Sequence, residues 1–495
     1  ELAGLPPTAL AAARDAAARA GVEGYRLTLD APSYIAVMTY ADNRELRETM
    51  WRAQTRLAAD EPWDNRPLIE EIIALRQEKA RMLGYTHFAD YVTEERMAGN
   101  ADRVRRFLAD LETRTRPAFE REVAELRAFA AERGCAELQP WDVAWYSEKL
   151  RRERYDVDEE ALRPWFSLDG VLEGMFAIVD RVFGVRVEEV PQGSSGFPEV
   201  WHPDVRYFRV FDGDSEVGAF YADFFPRPDK RGGAWMNAFI TGGPREDGGF
   251  DPHVGLLCAN ITPPAGDQPA LLTHREVETV FHEFGHLLHH LLSRVPVHSL
   301  AGTNVPWDFV ELPSQLMENW TWQKPALELF ARHWQSGEPL PDDLLEPMLR
   351  ARTFQAAMQM MRQLSFGTMD LWLHTEYRPG EDDVLAGCRA VQERFSITPL
   401  PDDYAMVCAF THLFAGPVAY AAGYYSYKWA EVLDADVFSA FEQHGIFDRG
   451  FGRRYVDTIL ARGHSADPME LYVELLGREP DPDALLRRDG LLPTA

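Results

Sequence analysis

Between Glu278 and Leu292 the chain reads ETVFHEFGHLLHHLL, with four histidines and two glutamates inside an otherwise apolar run. His282 and His286 are four residues apart, so on a helix they project from one face about 6 Å apart along the axis and can reach one metal ion. Glu283 lies one residue round, beside such an ion rather than on it, where a carboxylate can accept a proton from water. The same spacing also suits two histidines hydrogen-bonded in a core. A third ligand would decide between these readings. Downstream, WDFVELPSQLMENW (307–320) offers Glu311 and Glu318 in an apolar, aromatic segment where an unpaired carboxylate is expensive.

His289 and His290 do not extend the ligand set. The longer pattern HExxHxxGxxH needs Gly at 289 and His at 292, and the chain has His289 and Leu292 instead. Both histidines therefore read as supporting or packing groups. Around Glu311, Asp308, Ser314 and Glu318 are within helical reach and are candidates to orient ligands. For Asp308 a capping role, and for Glu318 a solvent-facing one, fit equally well.

The elements that must position these groups follow from periodicity. Thr273 followed by Glu276 is a capping-box pattern, and Val277, Val280, Phe281, Phe284, Leu288 and Leu291 recur at helical spacing, which predicts one helix over 273–294, stopped by Pro296. From residue 9 to about 180 the pattern is helical, with long amphipathic runs at 43–60, 67–84 and 101–134. Short β-branched or aromatic segments then occur at 185–190, 205–212, 216–225, 233–240 and 254–261, separated by turn residues. Helical patterning returns after 273. The fold class is mainly α with one small sheet ahead of the histidine-rich helix. The expected division is a helical lobe at 1–160 and a catalytic domain at 161–495 that holds the sheet and the C-terminal helices.

Composition narrows the function. With 495 residues and 46% hydrophobic side chains, a large core is accessible. The net charge of −28 argues against a nucleic-acid partner. No run of uncharged apolar residues is long enough to span a membrane, and Arg14, Asp15 and Arg19 interrupt what would be a leader's apolar core. Cys135, Cys258, Cys388 and Cys408 are far apart and lack a CxxC pairing, which suits a reducing cytoplasm.

Taken together, FHEFGHLLHHLL (281–292), WDFVELPSQLMENW (307–320) and FTHLFAGPVAYAAGYYSYKWAEVL (410–433) resemble the thimet oligopeptidase family of zinc metallopeptidases. The resemblance continues through LTLDAPSYIAVMTYADNRELRETM (27–50), DKRGGAWMNAF (229–239), MMRQLSFGTMDLWLH (360–374) and SADPMELYVELLGREPDPDALL (465–486), and so covers essentially the whole chain. It implies a two-lobed helical zincin with a deep substrate channel, and one Zn²⁺ held by His282, His286 and Glu311. It also implies Glu283 as general base, with His412, Tyr424 and Tyr427, and Tyr420 beside them, acting on the substrate. Three protein ligands leave a fourth position for the attacking water, whose pKa the metal lowers towards 7. Tyr427 is the candidate phenolic donor to the developing oxyanion, with Tyr424 and His412 for orientation. The aromatic run from Tyr404 to Trp429 would otherwise read as core.

The implied activity is hydrolysis of short unfolded oligopeptides. A dipeptidyl carboxypeptidase of the same family and an inert zinc-containing peptide-binding protein are the alternatives. The strand in GGAWMNAF is either ordinary or the edge that receives an extended peptide, with Gly233 and Ala234 allowing close approach. Two departures stand out. Pro417 and Val418 repattern the family's Gly-Gly loop after His412, which would restrict its motion. The family's N-terminal helical portion also has no counterpart before Glu1. Either the chain is clipped, or it is naturally shorter, or a separate chain or subunit completes the channel wall.

Overall fold

The computed structural model describes residues 2–155, 159–227, 230–261, 263–264 and 267–492. Five strands form one mixed sheet: β1 (Val185–Glu189), β2 (Arg206–Asp212), β3 (Ser215–Asp223), β4 (Trp235–Ile240) and β5 (His253–Cys258). Their order is β1-β2-β3-β5-β4, with β3 and β5 parallel and the other neighbours antiparallel. All five fall on segments whose composition predicts strands. Nearly every residue of β5 is buried, whereas β4 forms an exposed edge. All other regular elements are helical, and no helix among the described residues is long and apolar enough to cross a membrane.

The chain packs as two compact units. One comprises residues 1–156, 350–425 and 489–495, and the other 157–349 and 426–488. Residues 350–425 thus join the N-terminal helices, where the sequence division placed them with the sheet. The physical cause is long-range packing: the 32-residue helix Ala101–Glu132 lies along Ala356–Thr375. In this first unit Asp142, fully buried, accepts from Arg47 at 3.0 Å and Arg44 at 2.6 Å and ties Arg44–Thr55 to the turn at Pro140.

The second unit is built around the sheet and the histidine helix, His274–Leu291. Its start follows the predicted capping box: Thr273 Oγ1 accepts from the Glu276 N–H at 3.1 Å, and the Glu276 carboxylate accepts from the Thr273 N–H at 2.8 Å. Its end comes sooner than the periodicity suggests. The Ser293 carbonyl is taken by His253 Nε2 at 2.8 Å, and Arg294 N–H donates to the Ala461 carbonyl at 2.9 Å.

Glycines let this helix approach its neighbours on two faces. A Cβ at Gly255 of β5 would lie 2.4 Å from Leu287 Cδ1, and one at Gly218 of β3 would lie 2.8 Å from Leu291 Cδ2, so the two leucines fill hollows in the sheet. On another face, a Cβ at Gly285 would lie 2.4 Å from the Pro313 carbonyl oxygen and 2.6 Å from Ser314 Cα. The helix Leu312–Glu318 therefore crosses at backbone contact. Gly285→Ala is expected to destabilise the protein by about 3 kcal/mol, the upper range for overpacking. The check is its urea midpoint beside that of Gly232→Ala, whose new methyl meets nothing within 4 Å and should cost under about 0.5 kcal/mol.

Candidate metal centre

Because Gly285 admits the neighbouring backbone, Glu311, the residue immediately before Leu312–Glu318, reaches the histidine pair. Its Oε2 lies 3.3 Å from His282 Nε2 and 3.1 Å from His286 Nε2. Among the described residues these three form a group whose ligand atoms all lie within 4.8 Å of one another. A tetrahedral ion with bonds of about 2.0–2.2 Å needs donors roughly 3.3–3.6 Å apart, and the two carboxylate–imidazole separations of 3.3 and 3.1 Å are close to that size. One turn of helix supplies the two imidazoles, and a second helix start supplies the carboxylate.

The surrounding polar groups hold these three side chains in place. Glu318 Oε1 is 2.6 Å from His282 Nδ1, so Glu318 turns inward to orient the imidazole. Of the two readings left open for Glu318, the solvent-facing one does not hold. Ser314 Oγ donates to Glu311 Oε2 at 2.8 Å and also contacts the Glu311 carbonyl at 2.9 Å. Asp308 is fully buried on a turn, not on the helix itself. His286 Nδ1 is buried with no hydrogen-bond partner among the described residues, while its Nε2 faces Glu311.

Charge favours a cation here. Burial opposes protonation of His282, but hydrogen bonds to Glu311 and Glu318 override it and push the imidazole up to about 10. Burial would likewise raise Glu311, yet the two imidazoles hold it well below the usual carboxylate range. A divalent ion can replace those protons and satisfy the same carboxylates, so the residues present fit a bound metal.

Glu283 is buried at 7% exposure, and burial raises its pKa against the opposing pull of His282, His286 and the backbone N–H of Met236 in β4. A carboxyl so placed holds a proton more readily than an exposed one. His289 is fully buried, with neither ring nitrogen hydrogen-bonded among the described residues, and burial pushes it down to about 3. His290 Nε2 contacts the carbonyls of Ile240 and Val254 at 3.2 and 3.3 Å, fastening the helix to β4 and β5. Neither belongs to the ligand group.

The remaining predicted residues divide between the units. Tyr427 lies at the start of Ser426–His444, a helix of the second unit that packs on Leu312–Glu318. His412, Tyr420 and Tyr424 belong to the first unit, where the His412 ring meets Tyr420 at 5.5 Å and Tyr424 at 5.9 Å between centroids. Burial pushes the Tyr424 hydroxyl up to about 12. Sequence reasoning did not find the backbone contact from Met236 to Glu283. The only available signal was the GGAWMNAF strand itself.

Removing the His282 support is a direct test of this geometry. Glu318→Ala should weaken metal affinity by about 10–100-fold, measured by competition with a chromogenic chelator, while leaving the far-UV spectrum unchanged.

The model of peptidase family M3 matches residues 37–491. Oligopeptidase A of Escherichia coli (strain K12) is 47% identical over 500 residues, covering 99% of this chain and 72% of the relative. Dipeptidyl carboxypeptidase of the same organism is 34% identical over 505 residues, again with 99% and 72% coverage. Among solved structures, PZ peptidase A with an inhibitor superposes with a TM-score of 0.54 at 15% identity, over 94% of this chain and 72% of that one, which is a likeness of fold. The chain belongs to peptidase family M3, metallopeptidases that work with a divalent metal.

Proposed function

We propose that this metallopeptidase is a zinc-dependent oligopeptidase that hydrolyses internal bonds of short, unfolded peptides. The observation that carries the reading is the convergence of His282, His286 and Glu311 beside the buried carboxyl of Glu283. Two imidazoles and one carboxylate are the donor set that favours Zn²⁺ with an open position. When bound, the ion supplies Lewis acidity, polarising the scissile carbonyl and making water acidic enough to attack near neutral pH.

Glu283 takes the proton from the attacking water and returns it to the leaving amine. Its environment suits both steps: burial favours the protonated form, while the neighbouring imidazoles and the Met236 N–H favour the carboxylate. Glu318 and Ser314 keep His282 and Glu311 in register through both transfers. β4 is an exposed edge of the sheet whose Met236 contacts Glu283, and an extended peptide adds along that edge as a strand. Following the family motif, Tyr427 is assigned to donate to the developing oxyanion, with Tyr424 and His412 orienting the substrate backbone.

The similarity to oligopeptidase A exceeds that to the dipeptidyl carboxypeptidase and favours internal cleavage. Peptides are the substrate class. The net charge of −28 speaks against nucleic acid, and four unpaired cysteines suit a cytoplasmic setting.

Glu283→Gln should keep one equivalent of zinc by elemental analysis and lose at least about 100-fold in kcat, the range for general-base removal. Wild-type turnover in that variant would refute the assignment. An N-acetylated, C-amidated peptide should be cleaved internally, with products read by mass spectrometry. A strict carboxydipeptidase would leave it intact.

A further inference from the structure

The segment from Gly416 to Tyr424 consists of bends and turns, and Ala419 and Ala422 have φ of +45° and +52°. Residues other than glycine rarely adopt that conformation, so the surroundings must impose it. A buried polar chain within the first unit does so. Asp370, on the helix Ala356–Thr375, is 1% exposed; its Oδ1 accepts from the Ala422 N–H at 2.8 Å and its Oδ2 from the Tyr424 N–H at 2.9 Å. Two alternate amides aimed at one carboxylate form an anion nest.

The carboxylate is itself held. His374 Nδ1 is 2.9 Å from Asp370 Oδ1 and 2.8 Å from the Asp370 carbonyl, and His374 Nε2 is 3.0 Å from Arg76 Nη1. A guanidinium only donates, so Nε2 accepts and Nδ1 carries the proton that goes to Asp370. Arg76 Nη2 also donates to the Gly416 carbonyl at 2.9 Å. One chain, Arg76–His374–Asp370, thus grips both ends of the segment. The Tyr424 ring rests on Phe366, one helical turn before Asp370, at 5.6 Å between centroids, and on Phe410 at 5.2 Å.

We propose that Asp370 is a positioning residue for peptide hydrolysis, holding the Tyr424 backbone so that its phenol has a single direction. The inference rests on the role assigned to Tyr424 above. It also explains how a segment with alanines at its left-handed positions keeps one conformation.

The test is a double-mutant cycle of Asp370→Asn and Tyr424→Phe on a doubly blocked fluorogenic peptide. The Asp370→Asn change replaces one acceptor oxygen by an amide donor, which then faces one of the two N–H groups. Asp370→Asn alone should keep its zinc and lower kcat by ~10-fold or more, the scale for a misplaced group. In the Tyr424→Phe background the same change should cost less than about 2-fold, since the residues act as one unit. Effects that multiply fully would overturn the proposal. If Tyr424→Phe keeps wild-type turnover, the role given to Tyr424 fails, and amide hydrogen exchange judges Asp370 independently. In wild-type protein the Ala422 and Tyr424 amides should exchange at least about 100-fold more slowly than those of Val418 and Ala419. Equal rates would overturn the proposal whether or not the variant folds.

Discussion

The backbone contact between two helices at Gly285 is the constraint on which the candidate metal centre depends. Glycine within a helix costs about 1 kcal/mol relative to alanine, so its presence between His282 and His286 requires a compensating gain. The gain is proximity: the Pro313 carbonyl and Ser314 Cα occupy the space where a side chain would be, and Glu311 arrives within 3.3 Å of both imidazoles. The opposite demand is met on the sheet side, where Gly218 and Gly255 receive Leu291 and Leu287. Held between two glycine-lined contacts, the helix has little freedom to slide or rotate.

On this one helix the four imidazoles of the opening motif are sorted by their partners. His282, flanked by Glu311 and Glu318, is driven towards the charged form, whereas His289 and His290 are driven away from it by burial. The difference is not in the residue or its depth alone, since all four lie at most partly exposed. The carboxylates of Glu311 and Glu318 create a demand for positive charge at His282, whereas burial beside other imidazoles opposes it at His289. His290 meets its polar requirement through strand carbonyls, which makes it a fastener between helix and sheet.

What was legible in the sequence follows the range of the interactions involved. The Thr273 cap, the His282–His286 spacing and the strand segments are set by neighbours within a few residues, so periodicity and residue type report them. Glu311 stood out because a carboxylate in an apolar run needs a partner, but the inward turn of Glu318 depends on a ring 36 residues away. The grouping of residues 350–425 with the N-terminal helices depends on packing along Ala101–Glu132, which no local pattern encodes. The loop after His412 is the sharpest case. Its positive φ angles fall on Ala419 and Ala422, not on its glycines Gly416 and Gly423, because distant Asp370 and Arg76 fix that conformation.

An exposed edge strand is ordinarily a liability, open to pairing with any passing chain. β4 is such an edge, with Phe239 and Ile240 about half exposed, and it is kept short and broken by a register shift between Ala238 and Ile240. Its approach is also rigidly anchored. Lys230 Nζ donates to Asp223 Oδ1 at 2.9 Å and to the carbonyls of Asp223, Phe225 and Ala259, while Asn260 Nδ2 donates to the carbonyls of Arg231 and Gly233 at 2.9 and 2.7 Å. An ammonium at 4% exposure with four oxygen partners is costly to assemble, and the arrangement fixes where β4 begins. For a peptidase this suits recognition through the main chain. A strand added at β4 would gain backbone hydrogen bonds whatever its side chains, and would meet Glu283 through the strand that already contacts it at Met236. Such recognition favours extended, unfolded peptides over folded chains, whose backbone groups are already paired.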